Sequence, residues 1–553
     1  MLRVKPKETT SMYTRDGIRL DADIYRPDSI SNFPVLLMRQ PYGREIASTI
    51  VYAHPIWYAA QGYIVVIQDV RGRGTSQGEF QLFAHEIEDG EDTVNWAANL
   101  PGSNGNVGMY GFSYQGMTQI YATLNKPPAL KTICPAMIGY DLYEDWAYEG
   151  GAFCFQTNLA WAIQLATETA RLRGDEKIYQ ALFAASRNLP IYNPEIHNPE
   201  ILKNLAPDSF YHQWLSNSQP NDEYWQNLSL NSYKTNFQNI DLPMFHIGGW
   251  FDTYLRGTLK LYKDMAARSQ YRQQLLVAPW AHIPWGRKVG DMDFGEEAIS
   301  PVDKMQIRWF DQFLKNIDTG LLDESSISLF EMGANTWQTL TSLPKSLPNN
   351  NHKYFYLSST GLTSIQENDG KLKTENSQSS TDILVHDPWR PVPSLGGHAG
   401  IPAGVFERSH IDCRSDVLTY TSDPLESDIH LLGNVEVEIN CIADKPSFDL
   451  CAVLSEVYLD GRVYNLTQGY IHCPNTKADA PIKIELQFTC AKIIKGHSLR
   501  LSISAACFPA YAMNTGTKLP SGQGKWMDAQ IITLKVNCGE NKPSRIFLPV
   551  HKF

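Results

Sequence analysis

The sequence predicts an α/β protein that carries an inserted helical segment and ends in an all-β domain. Three observations carry that prediction. Apolar runs at 33–40 (FPVLLMRQ) and 63–70 (YIVVIQDV) have the unbroken hydrophobic character of strands buried on both faces of a parallel sheet. They alternate with stretches of helical periodicity, the pattern of a sheet covered by helices. Past about residue 345 the runs turn short, β-branched and aromatic, and turn residues separate them. The 553 residues also exceed what a single core usually accommodates.

Taken in order, EIEDGEDTVNWAANL (86–100) opens on acidic residues, which favour the positive end of a helix dipole. NVGMYG (106–111) supplies a further strand and YQGMTQIYATLN (114–125) a further helix, so the crossovers are expected to be right-handed. The strand signal then vanishes, and residues 155–174 and 175–190 read as helices. It returns at LPMFHIGGW (242–250) and QLLVAPW (274–280). These shifts divide the chain into a first α/β part (1–145), a helical cap insertion (146–235), a second α/β part (236–345) and a C-terminal β domain (346–553). The last reads as a jelly-roll sandwich rather than a barrel, with Asp460-Gly461 as a hairpin dipeptide.

A net charge of −11 without basic tracts argues against nucleic acid or an anionic membrane as partner. No run reaches the roughly 18 apolar residues of a membrane span, and the N-terminal stretch lacks an apolar signal segment, so a cytoplasmic location is expected. The nine cysteines are odd in number and contain no C-x-x-C, which favours free thiols over a disulfide framework. There is no P-loop, no H-E-x-x-H and no paired Cys/His spacing, and GRGTSQG misses the dinucleotide-loop spacing. Neither a metal nor a cofactor is expected. Homo-oligomerisation is left open.

The chemistry centres on GMYGFSYQGMTQ (108–119). A serine on a sharp turn between strand and helix exposes its Oγ above the edge of an α/β-hydrolase sheet, and Ser113 has that setting. Here Gly116 follows three residues after the serine, and Gln115 fills the position that is usually small. A serine nucleophile needs a base, and the base an orienting carboxylate, in the order Ser, Asp or Glu, His. Asp252 follows the strand in MFHIGGWFDTY, and His282 follows the next strand in LLVAPWAHIPWG. Any one match is cheap in a chain with 14 histidines and 59 acidic residues, but three in order, each after its own apolar run, are not. An oxyanion needs two donors. The Tyr114 amide is the first, and Tyr42, on the loop after an early strand, is a candidate second whose alternative is a packed surface aromatic.

Together RQPYGR, VVIQDVRGRGTSQGEF, GNVGMYGFSYQG, GGWFDTYLRGTL and APWAHIPWG resemble the CocE/NonD family of serine hydrolases, relatives of the S15 X-prolyl dipeptidyl peptidases. G-x-S-Y-x-G is that family's own elbow. The resemblance spans nearly the whole chain and implies an α/β-hydrolase domain, a helical cap and a jelly roll. It implies Ser113, Asp252 and His282 as a catalytic triad with Tyr42 and the Tyr114 amide as oxyanion donors. It also implies Trp146 and Trp161 in the acyl pocket. Trp250 and Phe251, beside Asp252, are further pocket candidates, and core packing is the alternative for the tryptophans.

Within that superfamily, enzymes that act on α-amino acyl groups hold the substrate ammonium with carboxylates just after the catalytic Asp. Here Thr253, Tyr254, Leu255 and Arg256 stand there, and a buried ammonium without a partner is costly. Arg256 suits either an acidic acyl chain or a structural ion pair. The expected function is hydrolysis of a small-molecule carboxylic ester or amide through an acyl-enzyme. The alternatives are acyl transfer, X-prolyl or dipeptidyl peptidase action with the same triad, and a non-catalytic jelly-roll binding protein.

Overall fold

Phe33–Gln40 and Ile64–Asp69 are strands, as their apolar runs require, and both are buried along almost their whole length. The computed structural model describes residues 1–45, 49–192, 197–228, 237–344, 352–474 and 480–553. Its central sheet contains β1 (Glu8–Tyr13), β2 (Arg19–Tyr25), β3 (Phe33–Gln40), β4 (Ile64–Asp69), β5 (Ser103–Phe112), β6 (Leu130–Ala136), β7 (Met244–Phe251), β8 (Gln273–Ala281), β9 (Ile327–Glu331) and β10 (Thr336–Leu340). The spatial order is β1-β2-β4-β3-β5-β6-β7-β8-β9-β10. Pairings from β4 across to β9 are parallel, while β1–β2, β2–β4 and β9–β10 are antiparallel.

The cap lies between β6 and β7. It starts with a π-helical turn, Tyr143–Ala147, and a short hairpin, Tyr148–Glu149 against Ala152–Phe153. Helices Phe155–Arg173 and Glu176–Arg187 follow. Gly174, at φ 72°, ends the first in the left-handed region, and the Asp175 carboxylate caps the second by accepting from the Ile178 amide. Among the described residues, the helices Glu200–Leu205, Phe210–Ser216 and Glu223–Leu228 come next. The boundary expected at 235 lies outside the described residues, as does the one at 345–346.

Among the described residues, thirteen strands, from His352–Ser358 to Arg545–His551, form one connected β system. It does not stand apart. Met332, just past β9, donates to the Cys490 carbonyl (3.0 Å) and accepts from the Lys492 amide (2.8 Å). Trp250, Phe251 and Leu255 share one buried core with Leu431, Cys490 and Ala491. All nine cysteines are free thiols, and only Cys413 is exposed. Among the described residues no helix is long and apolar enough to cross a membrane.

Candidate active site

Ser113 occupies a sharp turn between β5 and the helix Tyr114–Thr123, with φ 60° and ψ −127°. A non-glycine residue held there stores about 1–3 kcal/mol and persists only when its surroundings over-determine it. They do so here: the Ser113 amide donates to the Ala136 carbonyl (2.9 Å), and the Ser113 carbonyl accepts from the Met117 amide (3.0 Å). The glycine spacing follows from packing. A Cβ on Gly116 would lie 2.4 Å from Ile138 Cγ2 and 2.9 Å from the Ala136 oxygen, where the helix meets β6. A Cβ on Gly111 would lie 2.5 Å from the Gln115 Cβ. Gln115 therefore fits because Gly111 opposite has no side chain, and its Oε1 accepts from the Phe112 amide (3.3 Å).

Strand register brings the other two residues together. β7 and β8 are parallel neighbours and pair Phe251 with Ala281, so Asp252 and His282 leave the sheet side by side. His282 Nδ1 and Asp252 Oδ1 are 2.8 Å apart. On β5 and β6, Phe112 pairs with Ala136, which puts Ser113 at the same carboxyl edge of the sheet. The Phe112 ring packs on His282 (centroids 5.3 Å apart), and Tyr254 meets the imidazole edge-on (5.0 Å). Asp252 is fully buried, and its Oδ2 has no hydrogen-bond partner among the described residues. Ser113 retains 8% exposure and His282 29% of its side chain.

Tyr42 stands on the loop after β3, its amide donating to Gln40 Oε1 (2.7 Å). Its hydroxyl accepts from the Trp161 indole N–H (3.1 Å) and hydrogen-bonds the Ser113 side chain. Burial pushes the phenol up to about 12, against the opposing effects of the Trp161 bond, the Arg73 charge and the Ser113 bond. It is therefore protonated at neutral pH and able to donate. The Tyr114 ring is anchored behind the elbow: its hydroxyl donates to Glu86 Oε1 (2.8 Å), while Arg39 donates to Glu86 Oε2 (2.6 Å). Phe83 stacks on that ring at 4.5 Å.

Trp146 and Trp161 are in contact at 5.2 Å, and Trp146 packs on Tyr254 at 4.3 Å. Ser113, Tyr42, Trp161, Trp146, Tyr254, His282 and Asp252 thus form one chain of contacts. Trp250 and Phe251 are not drawn into it. The Trp250 indole donates to the Phe330 carbonyl (2.8 Å), its ring stacks on Phe488 (6.1 Å, 12°), and both residues belong to the core shared with the β domain. Adjacency to Asp252 in sequence does not show which side chains the β domain covers. Tyr254 has no role in the sequence reading, although GGWFDTY contains it. Trp161's bond to Tyr42 carries no sequence signal, since it joins cap to sheet.

Arg256 is an ion-pair partner rather than a free cation. Its Nη1 lies 2.7 Å from Glu149 Oε2, which also accepts from His398 (2.9 Å) and from the Tyr511 hydroxyl (2.5 Å). Asp145, a further buried carboxylate near Arg256, is held by Lys260 at 2.7 Å.

Comparison with known proteins agrees with this layout. Residues 16–284 match the X-Pro dipeptidyl-peptidase (S15 family), and residues 319–546 match the X-Pro dipeptidyl-peptidase C-terminal non-catalytic domain. The cocaine esterase of Rhodococcus sp. (strain MB1 Bresler) is 30% identical, with 97% of either chain covered. An aminopeptidase from a marine sediment Thaumarchaeota archaeon superposes with a TM-score of 0.80 at 23% identity, covering 99% of this chain and 96% of that one. An α-amino acid ester hydrolase gives 0.79 at 23% identity with the same coverage. These two structures establish the fold.

Proposed function

This chain belongs to the CocE/NonD family of hydrolases, within the S15 peptidase superfamily, and from that premise we propose that it is a serine esterase acting through an acyl-enzyme. The observation that carries the reading is the set of three strand ends: a strained Ser113 bonded to Tyr42, beside an Asp252–His282 pair at 2.8 Å.

Ser113 Oγ attacks the ester carbonyl carbon as His282 Nε2 takes its proton. Asp252, bonded to Nδ1, fixes the tautomer and stabilises the imidazolium. The Tyr42 hydroxyl and Tyr114 amide donate to the oxygen as charge develops on it. The tetrahedral intermediate collapses, and His282 returns the proton to the departing alcohol. Water, activated by the same imidazole, then releases the acid and restores Ser113. Trp161, half-buried against Tyr42, offers an acyl group aromatic surface.

Peptidase action on a free N-terminus needs a carboxylate to receive the ammonium. Glu149 and Asp145 are already engaged by Arg256 and Lys260, which supports the esterase reading. A p-nitrophenyl ester series from acetate to decanoate, with benzoate, run beside an X-Pro p-nitroanilide, tests it. Ester turnover with a pre-steady-state burst, lost in Ser113→Ala, and background cleavage of the anilide are expected. Efficient anilide cleavage without ester preference would overturn the reading.

A further inference from the structure

We propose that Gln487, in the β domain, is a positioning residue for Asp252; the inference rests on the triad reading above. Gln487 lies between the strands Ile482–Glu485 and Thr489–Ile493 and is 3% exposed. Its own backbone is fixed, the amide donating to the Gln468 carbonyl (2.9 Å) and the carbonyl accepting from the Thr467 hydroxyl (2.6 Å). Its side-chain Nε2 donates to two carbonyls of another domain, Trp250 (2.9 Å) and Asp252 (3.1 Å). A carboxamide nitrogen carries two N–H groups, so one side chain staples both ends of the Trp250–Phe251–Asp252 segment where β7 leaves the sheet. Phe488, the next residue, stacks on the Trp250 ring and closes the same junction.

The staple matters because of how Asp252 is held. Its carboxylate bonds His282 through Oδ1, while buried Oδ2 has no partner among the described residues. The aim of the carboxylate is therefore set by backbone and packing. The Asp252 amide donates to the Gly249 carbonyl (3.1 Å) and the Asp252 carbonyl accepts a longer bond from the Leu255 amide (3.3 Å), so the Gln487 bond is a further hold on the same peptide segment. A loosely held carboxylate orients the imidazole less well, and misplacement of a catalytic group lowers the rate steeply. The domain that matches a non-catalytic description thus reaches the residue that orients His282.

Gln487→Met keeps the length of the side chain and removes both donors. In the full chain, kcat for p-nitrophenyl acetate is expected to fall about tenfold with KM within about twofold. The rate of fluorophosphonate capture at Ser113 is then followed in both backgrounds: Gln487→Met is expected to lower it about tenfold in the otherwise wild-type chain and less than about twofold in Asp252→Asn, because the carboxylate it aims is gone. A purely structural role would lower both backgrounds by the same factor. That result, or an unchanged kcat in the single variant, would overturn this inference alone. A wild-type rate for Asp252→Asn would overturn the triad reading and this inference with it. If Gln487→Met does not fold, Gln487→Asn, whose amide is drawn back by one methylene, is read by the same two comparisons.

Discussion

Tyr42 keeps its proton because burial disfavours the phenolate, which holds the group at about 12. Below pH 10 the hydroxyl remains a donor in folded and unfolded chains alike. As pH rises from 10 toward 12, the unfolded state ionises first and stability is lost, and donation to the oxyanion ends once the folded group ionises. Tyr42→Phe removes the donor and leaves the ring, so kcat/KM for p-nitrophenyl acetate is expected to fall roughly 10²–10³-fold with the thermal midpoint little changed. Trp161→Phe removes the N–H that steers the phenol at 3.1 Å together with part of the ring packed on Trp146, and leaves the Tyr42 donor itself in place, so a smaller fall, about three- to tenfold, is expected in the same assay. The strand-end positions of Ser113, Asp252 and His282, and the place of Tyr42 on the loop after β3, were legible in the sequence because each follows an apolar run closely. Trp161's indole bond and the Arg256–Glu149 pair join segments remote in sequence, so no local pattern announces them.

The strand-to-helix elbow shows why its glycines fall where they do. Gly116 lies against β6 with no room for a methyl group, and Gly111 makes room for Gln115. Gly116→Ala is expected to push the helix Tyr114–Thr123 off Ile138, destabilising the protein by about 1–3 kcal/mol. The Tyr114 amide would shift with it, so kcat is expected to fall while KM holds; equal kcat in Gly116→Ala would show that the helix moves without disturbing the site. The paired strands β7 and β8 were readable as apolar runs, and their register places Asp252 beside His282. The edge strand β1 was not readable. Its sequence, ETTSMY, is mostly exposed, and a strand paired on one side and solvated on its face has no apolar run to give it away.

At the scale of the molecule, the hydrolase sheet, cap and β domain share buried polar junctions. Glu149 of the cap hairpin meets Arg256 of the helix after β7, and His398 and Tyr511 of the β domain. Burial works to raise the Glu149 carboxyl, but the Arg256 charge and the His398 and Tyr511 bonds outweigh it and leave the group at about 2, below its ordinary 4.5. A carboxyl depressed in the folded state stabilises above its unfolded value and loses that contribution as pH falls through the folded one. On the order of 3 kcal/mol is therefore expected to disappear between pH 4.5 and about 2. Glu149→Gln should flatten that limb of a plot of thermal midpoint against pH, and an unaltered acid limb would assign it elsewhere. The all-β character of the C-terminal region was legible from its short aromatic and β-branched runs, whereas its strand order was not, since neighbours such as Ser380–His386 and Ile532–Cys538 lie far apart in sequence.

The central claim is that Ser113 is the nucleophile of one triad. Its most direct test is reaction with a fluorophosphonate followed by intact mass and peptide mapping. One equivalent bound at Ser113, absent in Ser113→Ala and greatly slowed in His282→Ala, is the expected result. Stoichiometric labelling at another residue, or ester turnover that survives Ser113→Ala, would contradict the account.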